Sequence, residues 1–319
     1  GPGVQRVLKF VKYLPALGVL PTVLTVDAGA YPSHDPTLSS DIPAGIRVYR
    51  TAALDPFGIY ARATGKSKSD AVTVGAVEQT PSLVERTARF VRANVFVPDA
   101  RVGWVPFAVR AGKRVIKEAQ EAGRLIDAVL TSGPPHSAHL IGRALHRKFG
   151  TPWVADFRAP WARHALAEVL PMTGLANSLD RRIEQSILSE ASRLLTVSPS
   201  WRQHLAEQAG RSESDVALVH NGFDADDFAH AAPISLPDTF TLTHVGSLYE
   251  TRDPVARWDA RADLRAQGAT PHLRIRLLGS VADAVRRSLA ARGLDRITDI
   301  EPSAPRDAAI AAMRAAALL

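Results

Sequence analysis

Apolar residues recur along this chain in two rhythms, and the alternation between them predicts its elements. An apolar residue at every third or fourth position marks a helix with one buried face, while a short unbroken apolar run marks a strand covered on both faces. Residues 4–14 have the helical spacing, and Gly18 with Pro21 ends that helix before the strand-like run Thr22-Val23-Leu24-Thr25-Val26. A second short strand covers 46–49. Residues 61–80 turn polar, small and basic, with Gly65-Lys66-Ser67-Lys68-Ser69 and no period, which reads as a mobile surface excursion.

Helices resume near Ser82, and an amphipathic stretch at 110–121 leads into a strand at 128–131, a turn at Gly133-Pro134-Pro135 and a helix at 137–148. Strands at 152–157, 193–197 and 216–219 then alternate with helices at 177–190 and 200–209. Strands joined by helices of this length are parallel and right-handedly crossed, so the predicted class is α/β with doubly wound parallel sheets. The connection 228–238 has two prolines and no pattern, and βα units begin afresh after it. Strands are predicted at 239–245, 273–278 and 297–300, with helices at 255–267, 281–292 and 306–316. The expectation is therefore two Rossmann-like domains, 1–228 and 238–319, facing each other across a cleft, with too few βα units in the second for a complete domain.

Composition narrows the partners. With 319 residues, 46% of them hydrophobic, the chain can bury two cores of ordinary size, and a charged fraction of 22% is too low for a disordered chain. The absence of cysteine excludes disulfides, thiolate metal sites and cysteine nucleophiles. A net charge of +7 favours acidic partners such as phosphate-bearing ligands, an anionic membrane surface or nucleic acid. Arginine on ordinary solvated helix faces accounts for that charge, so nucleic acid is not expected as a partner. No run approaches the ~20 apolar residues that span a bilayer, and Gly1-Pro2-Gly3 does not open a signal sequence. The expected location is cytoplasmic, with peripheral contact at the inner face of a membrane left open.

In open α/β sheets ligands sit beyond the carboxyl ends of the strands, so the candidate chemistry lies just after each strand. Asp156 and Arg158 end one strand two residues apart, where they can pair with each other or with a polar acceptor. His136 follows the Pro-Pro turn at the head of a helix; it is a candidate for holding an acceptor, or a surface residue beside a helix cap made by Ser137. Asn221-Gly222 is a dipeptide that tolerates positive φ, either simply as a turn or as a ligand contact. After the strand Thr243-His244-Val245, Gly246 lets the backbone approach a pyrophosphate, Ser247 follows in the same turn, and Arg252 brings charge. The simpler account is that Gly246 only makes a tight turn and that His244 is a buried, hydrogen-bonded histidine. Neither metal-ligand spacing nor a P-loop, G-x-S-x-G or G-x-G-x-x-G fingerprint is present, so no metal and no cofactor are expected.

Several stretches resemble, in order, the GT-B-fold glycosyltransferases of the family-4 type. They are the opening Gly1-Pro2-Gly3-Val4-Gln5-Arg6 running on to Thr25, the segment Pro98 to Trp104, Ser132-Gly133-Pro134-Pro135-His136-Ser137, Trp153 to Trp161, Thr196-Val197-Ser198, Asn221-Gly222-Phe223-Asp224, and His244 to Tyr249. The resemblance implies transfer of a sugar, with retained configuration, from a nucleotide-diphosphate sugar to a carbohydrate or lipid-linked acceptor in cell-surface polysaccharide or glycolipid synthesis. It implies that Asp156, Arg158 and His136 serve the acceptor side and that Gly246, Ser247, Arg252, Asn221 and Gly222 serve the donor. Alternatives are a non-catalytic nucleotide-sugar-binding or scaffold module and a GT-B nucleotide-sugar epimerase. The sequence departs from the group at Ala159, where the group has aspartate. The resemblance also leads one to expect a strand before Gly1 and a paired-glutamate motif beyond Leu319, and hence a chain truncated at both ends and unable to complete catalysis alone.

Overall fold

The computed structural model describes residues 2–27, 35–54, 83–161, 171–229, 239–270 and 272–318. The excursion expected at 61–80 lies outside the described residues, as does most of the connection at 228–238. In chain order the elements are α1 (Pro2–Tyr13), β1 (Thr22–Val26), β2 (Arg47–Thr51), α2 (Leu83–Val95), α3 (Val105–Glu121), β3 (Val129–Gly133), α4 (Ser137–Phe149), β4 (Trp153–Phe157), α5 (Gly174–Glu190), β5 (Arg193–Thr196) and α6 (Pro199–Ala209). There follow β6 (Val216–Leu218), α7 (Ala225–Ala229), β7 (Thr241–Val245), α8 (Val255–Ala266), β8 (Arg274–Leu278), α9 (Asp283–Ala290), β9 (Thr298–Glu301) and α10 (Arg306–Arg314).

Local chemistry sets the ends of these elements. After α1 a tight turn at Leu14–Leu17 closes on Gly18, whose φ of 77° and backbone N–H to Leu14 and Pro15 carbonyls stop the chain from continuing as helix. α6 opens with the Ser198 hydroxyl accepting from the Trp201 N–H, has Pro199 at its first position and ends on Gly210 at φ 62°. Two starts differ from the sequence pattern. α3 begins at Val105 rather than near 110, because Pro106 falls in the first turn, where a missing N–H costs nothing. α5 begins at Gly174, where the Thr173 hydroxyl accepts from Ala176 N–H.

The chain divides into two compact units, one comprising Gly1–His34 and Asp41–Gly222, the other Asp35–Ser40 and Phe223–Leu319. In unit 1, β1 pairs β2, and β3, β4, β5 and β6 form a parallel ladder in chain order. In unit 2, β7, β8 and β9 form a parallel ladder, also in chain order. The larger core of unit 1 joins Trp153, Ala155 and Phe157 of β4 to Ile187 and Leu188 of α5, Leu205 of α6 and Val216 of β6. A second cluster, Ala108 and Ile116 of α3 with Ile141 and Leu145 of α4, takes in Leu24 of β1 and Val129 of β3, so α3 holds both ladders of the unit. Unit 2 has its own core, with Ile275 and Leu277 of β8, Trp258 of α8 and Val285 and Leu289 of α9.

Helix α4 approaches β4 so closely that a Cβ on Gly142 would collide with the indole of the fully buried Trp153. Glycine inside a helix ordinarily costs about 1 kcal/mol against alanine, so Gly142→Ala would normally stabilise. Here the expected outcome has the opposite sign, a loss of about 1–3 kcal/mol from overpacking. Urea unfolding followed by tryptophan fluorescence checks the sign.

Candidate functional site

In unit 1 the carboxyl ends of β3, β4 and β6 meet α1. Register places Ser132 beside Asp156 and Gly133 beside Phe157. Asp156 is fully buried, and its carboxylate accepts from Arg6 Nε at 3.1 Å, Arg6 Nη2 at 3.2 Å and Ser132 Oγ at 2.6 Å. The remaining Arg6 nitrogen, Nη1, donates to the His220 carbonyl and the Asn221 Oδ1, each at 3.2 Å. The ion-pair partner of Asp156 is thus Arg6, not Arg158. Backbone geometry explains the change: Arg158 N–H bonds to the Gly133 carbonyl, and its guanidinium runs on to the Pro134 carbonyl and the Gly3 backbone. Arg158 is half-buried with Nε unpartnered, and burial lowers its pKa while Asp156 raises it.

His136 is also interior. It is 1% exposed, stacks on Trp161 with ring centroids 4.6 Å apart, and pairs Nε2 with the Pro160 carbonyl at 3.0 Å. The sequence reading of His136 as a surface residue is corrected by this burial. The expected cap is corrected too: Ser137 is the first residue of α4, and Asp99, 38 residues upstream, accepts from both its N–H and its hydroxyl at 2.8 Å. His139, fully buried one turn on, pairs Nδ1 with Thr131 Oγ1 at 2.9 Å, and Thr131 Oγ1 accepts from Trp153 Nε1 at 2.8 Å. His136 Nδ1 and His139 Nε2 are buried without partners, and both face the Cα of Gly133, where an added Cβ would lie 2.8 and 2.7 Å from them. Burial lowers the pKa of both rings, that of His139 well below 6.5.

Asn221 spends its side-chain oxygen on Arg6, and Gly222 has open space around its Cα without a positive φ, so neither residue is held there by turn strain. Sequence reasoning passed over Arg6, Asp99, Thr131, His139 and Asp180, the last of which accepts from Trp161 Nε1 at 2.9 Å. Arg6 and Asp99 lie inside the ordered motifs, and that placement was their only signal.

In unit 2 the turn after β7 is laced to the turn after β8. Gly246 has φ 143° and donates its N–H to the Leu278 carbonyl at 2.9 Å; Leu248 N–H bonds to the Ser280 carbonyl and Ala282 N–H to the Leu248 carbonyl. Gly279, φ 142°, sits so close that a Cβ on it would strike the Gly246 carbonyl. Gly246 and Arg252 are exposed, Ser247 half-buried, and among the described residues neither the Ser247 hydroxyl nor the Arg252 guanidinium has a partner. His244 is half-buried with its Nε2 unpartnered and 3.4 Å from where a Gly246 Cβ would sit, so it is not the hydrogen-bonded core residue expected at that nitrogen. Burial, then Arg257, lowers its pKa. Asp224 is buried and accepts from the Asp226 N–H at 3.1 Å, which opens α7.

Removing one partner of a buried ion pair costs about 3–5 kcal/mol because the other is left uncompensated. Asp156→Asn and Arg6→Met are each expected to destabilise unit 1 by that order, and a double-mutant cycle in urea should show the two losses strongly non-additive. For the histidines the sign follows from their lowered pKa values: the unfolded chain binds protons that the folded chain refuses. Their contribution is intact above pH 7 and falls as pH drops through the unfolded value of 6.5 toward the lower folded values. His139→Gln should flatten the decline of the thermal midpoint between neutral and mildly acid pH, which pH-resolved melting measures.

Comparison with known proteins follows this geometry. A family model described as a glycosyl transferase 4-like domain matches residues 3–222. No curated protein sequence matches the chain. Among solved structures it is similar to HepE of Anabaena in complex with UDP and glucose, with a TM-score of 0.52 and 13% identity over 92% of this chain and 72% of that one. A glycosyltransferase from Rickettsia africae gives 0.51 and 13% over 97% and 67%, and the sucrose-phosphate synthase of Thermosynechococcus elongatus 0.50 and 14% over 97% and 66%. Against two further HepE structures, with UDP and with UDP-glucose, the chain spans only 54% of the relative's length. At these identities the likeness carries the fold, the two Rossmann-like parallel-sheet domains of GT-B glycosyltransferases. With that fold, and a family model over well more than half its length, the chain belongs to the glycosyl transferase 4-like family.

Proposed function

We propose that this protein moves a sugar from a nucleotide-diphosphate sugar to a carbohydrate or lipid-linked acceptor, retaining the anomeric configuration, in cell-surface polysaccharide or glycolipid synthesis. The observation that carries the reading is the Gly246 turn. Gly246 is exposed at a φ of 143° that favours glycine, and the Ser247 hydroxyl and Arg252 guanidinium beside it have no partner among the described residues. With the Gly246 and Leu248 N–H groups committed to the Leu278 and Ser280 carbonyls, the Ser247 hydroxyl and the Arg252 guanidinium are the groups this turn offers to a diphosphate. UDP and glucose bound in the HepE structure support a nucleotide sugar as the donor class.

In the proposed reaction Arg252 takes up the charge of the leaving diphosphate, whose oxygen accepts the proton of the acceptor hydroxyl, and neither metal nor cofactor takes part. Unit 1 serves the acceptor. Arg158, partly accessible beside Gly3, is the group offered to it, while Asp156 and His136 act as positioning residues that fix the strand ends and the Pro134-Pro135 turn. Ala159 leaves the acceptor side without the carboxylate that the group carries there. A chain that binds nucleotide sugar without turning it over would be the non-catalytic module of the alternative reading. No described helix is long and apolar enough to cross a membrane. A lipid-linked acceptor calls for a protein that works from the cytoplasm in peripheral contact with the membrane, and the reading includes that contact.

Calorimetric titration with nucleoside diphosphates and assay of nucleotide release from their sugars test this. Arg252→Ala is expected to weaken diphosphate binding roughly ten- to a hundredfold, the equivalent of ~1.5–3 kcal/mol for a charge-assisted contact, with the unfolding midpoint unchanged. Arg158→Ala should lower transfer at near-normal nucleotide affinity. Failure of every nucleoside diphosphate and nucleotide sugar to bind overturns the transferase reading, and unchanged affinity in Arg252→Ala removes that residue from it.

A further inference from the structure

Away from the strand ends, unit 1 carries a groove of about 560 Å³ along one face of α3, closed by the last residues of α4. Pro106, Val109 and Phe149 make its floor apolar. Five cations line it, Arg110, Lys113, Arg114 and Lys117 on α3 and Lys148 on α4, against two carboxylates, Glu118 and Glu121. Of the five only Arg114 is paired, with Glu118 at 3.6 Å; the other four make neither an ion pair nor a side-chain hydrogen bond among the described residues.

An ordinary solvated helix face mixes its signs, and like charges four residues apart repel. Arg110 with Arg114 and Lys113 with Lys117 are such pairs, so α3 carries an electrostatic cost that a bound anion would relieve. Lys148 lies at the carbonyl end of α4, which accounts for its sign, but the α3 cations sit in mid-helix, where the dipole explains nothing. The buried face of the same helix is apolar, with Ala108, Ala111 and Ile116, so its amphipathic pattern sets cations and a shallow apolar strip outward. The partner must therefore offer phosphate charge and an apolar margin together. Phe107, exposed in the first turn, adds a wedge beside the floor. A long polyanion would ask for a longer track; here Glu118 and Glu121 end the cationic run, which from Arg110 to Lys117 rises only about 10 Å.

We propose that this face of α3 docks unit 1 on the headgroups of an anionic phospholipid bilayer, the phosphates meeting Arg110, Lys113, Lys117 and Lys148 and the apolar strip meeting the headgroup boundary. The proposal locates the peripheral contact of the preceding section and rests on that contact, not on the transfer reaction. Vesicle binding is read without donor or acceptor, and nucleotide binding without vesicles, so either can fail alone.

The test is co-sedimentation of the whole chain with vesicles of equimolar phosphatidylcholine and phosphatidylglycerol, compared with phosphatidylcholine alone. Binding should require phosphatidylglycerol and weaken with salt. The Lys113→Ala, Lys117→Ala, Lys148→Ala triple variant should lose about a hundredfold in partition, at about fivefold per cation, with an unchanged unfolding midpoint. An Arg181→Ala, Arg182→Ala variant, altered on the exposed face of α5, should bind like the parent. Absence of binding, equal binding to both vesicles, or equal loss in the α5 variant overturns the proposal. So does a result in which the triple variant loses affinity for soluble heparin while the parent ignores vesicles.

Discussion

A guanidinium and a carboxylate removed from water together each lose several kcal/mol of hydration, and only a complete set of partners offsets that loss. Arg6 and Asp156 have such a set. Both carboxylate oxygens are engaged by Arg6, one of them also by Ser132, and the remaining Arg6 nitrogen reaches a backbone carbonyl and an amide oxygen at the end of the β6 segment. These partners are 150 residues apart in the first case and more than 200 in the second. One side chain on the first helix thereby fixes where three strands end, and with them the loops from which a transferase of this fold would present its acceptor contacts. The arrangement tolerates no partial version, because each group left behind would be a buried charge.

How much of this was legible in the chain varies with the range of the interaction. The ladders and most helices were readable because their signals are local: short, largely apolar runs such as Thr22–Val26, and glycine where a helix stops, as at Gly18. The first turn of α3 was missed because the amphipathic rhythm shows only from about residue 110, whereas the helix opens at Val105 with Pro106 in its first turn. The candidate site was legible only as a set of strand ends. That Asp156 pairs with Arg6 instead of Arg158 depends on where α1 comes to rest, which no spacing encodes. Likewise Asp99 caps a helix that begins 38 residues later, a contact without sequence rhythm. The residues that keep accessible polar groups, Ser247 and Arg252 in unit 2, are the ones for which a turn glycine and a neighbouring cation were sufficient clues.

The two units hold their strand-end turns by different means. Unit 1 uses side chains, and its interior is consequently rich in titratable groups. Unit 2 uses backbone: the two turns stack so closely that a Cβ on Gly279 would strike the Gly246 carbonyl, and N–H groups run from one turn to the carbonyls of the other. A backbone-built turn leaves its side chains uncommitted.

The Trp153, Thr131, His139 and His136 chain has a built-in polarity. An indole N–H can only donate, so Thr131 Oγ1 accepts from Trp153 and keeps a hydrogen and a second lone pair to meet His139 Nδ1 in either tautomer. At the other end the Pro160 carbonyl can only accept, which puts the His136 hydrogen on its Nε2 and leaves a lone pair on Nδ1. The two histidines are thereby tied to opposite ends of one strand, His139 through Thr131 to the indole that begins β4 and His136 to a carbonyl just past its end.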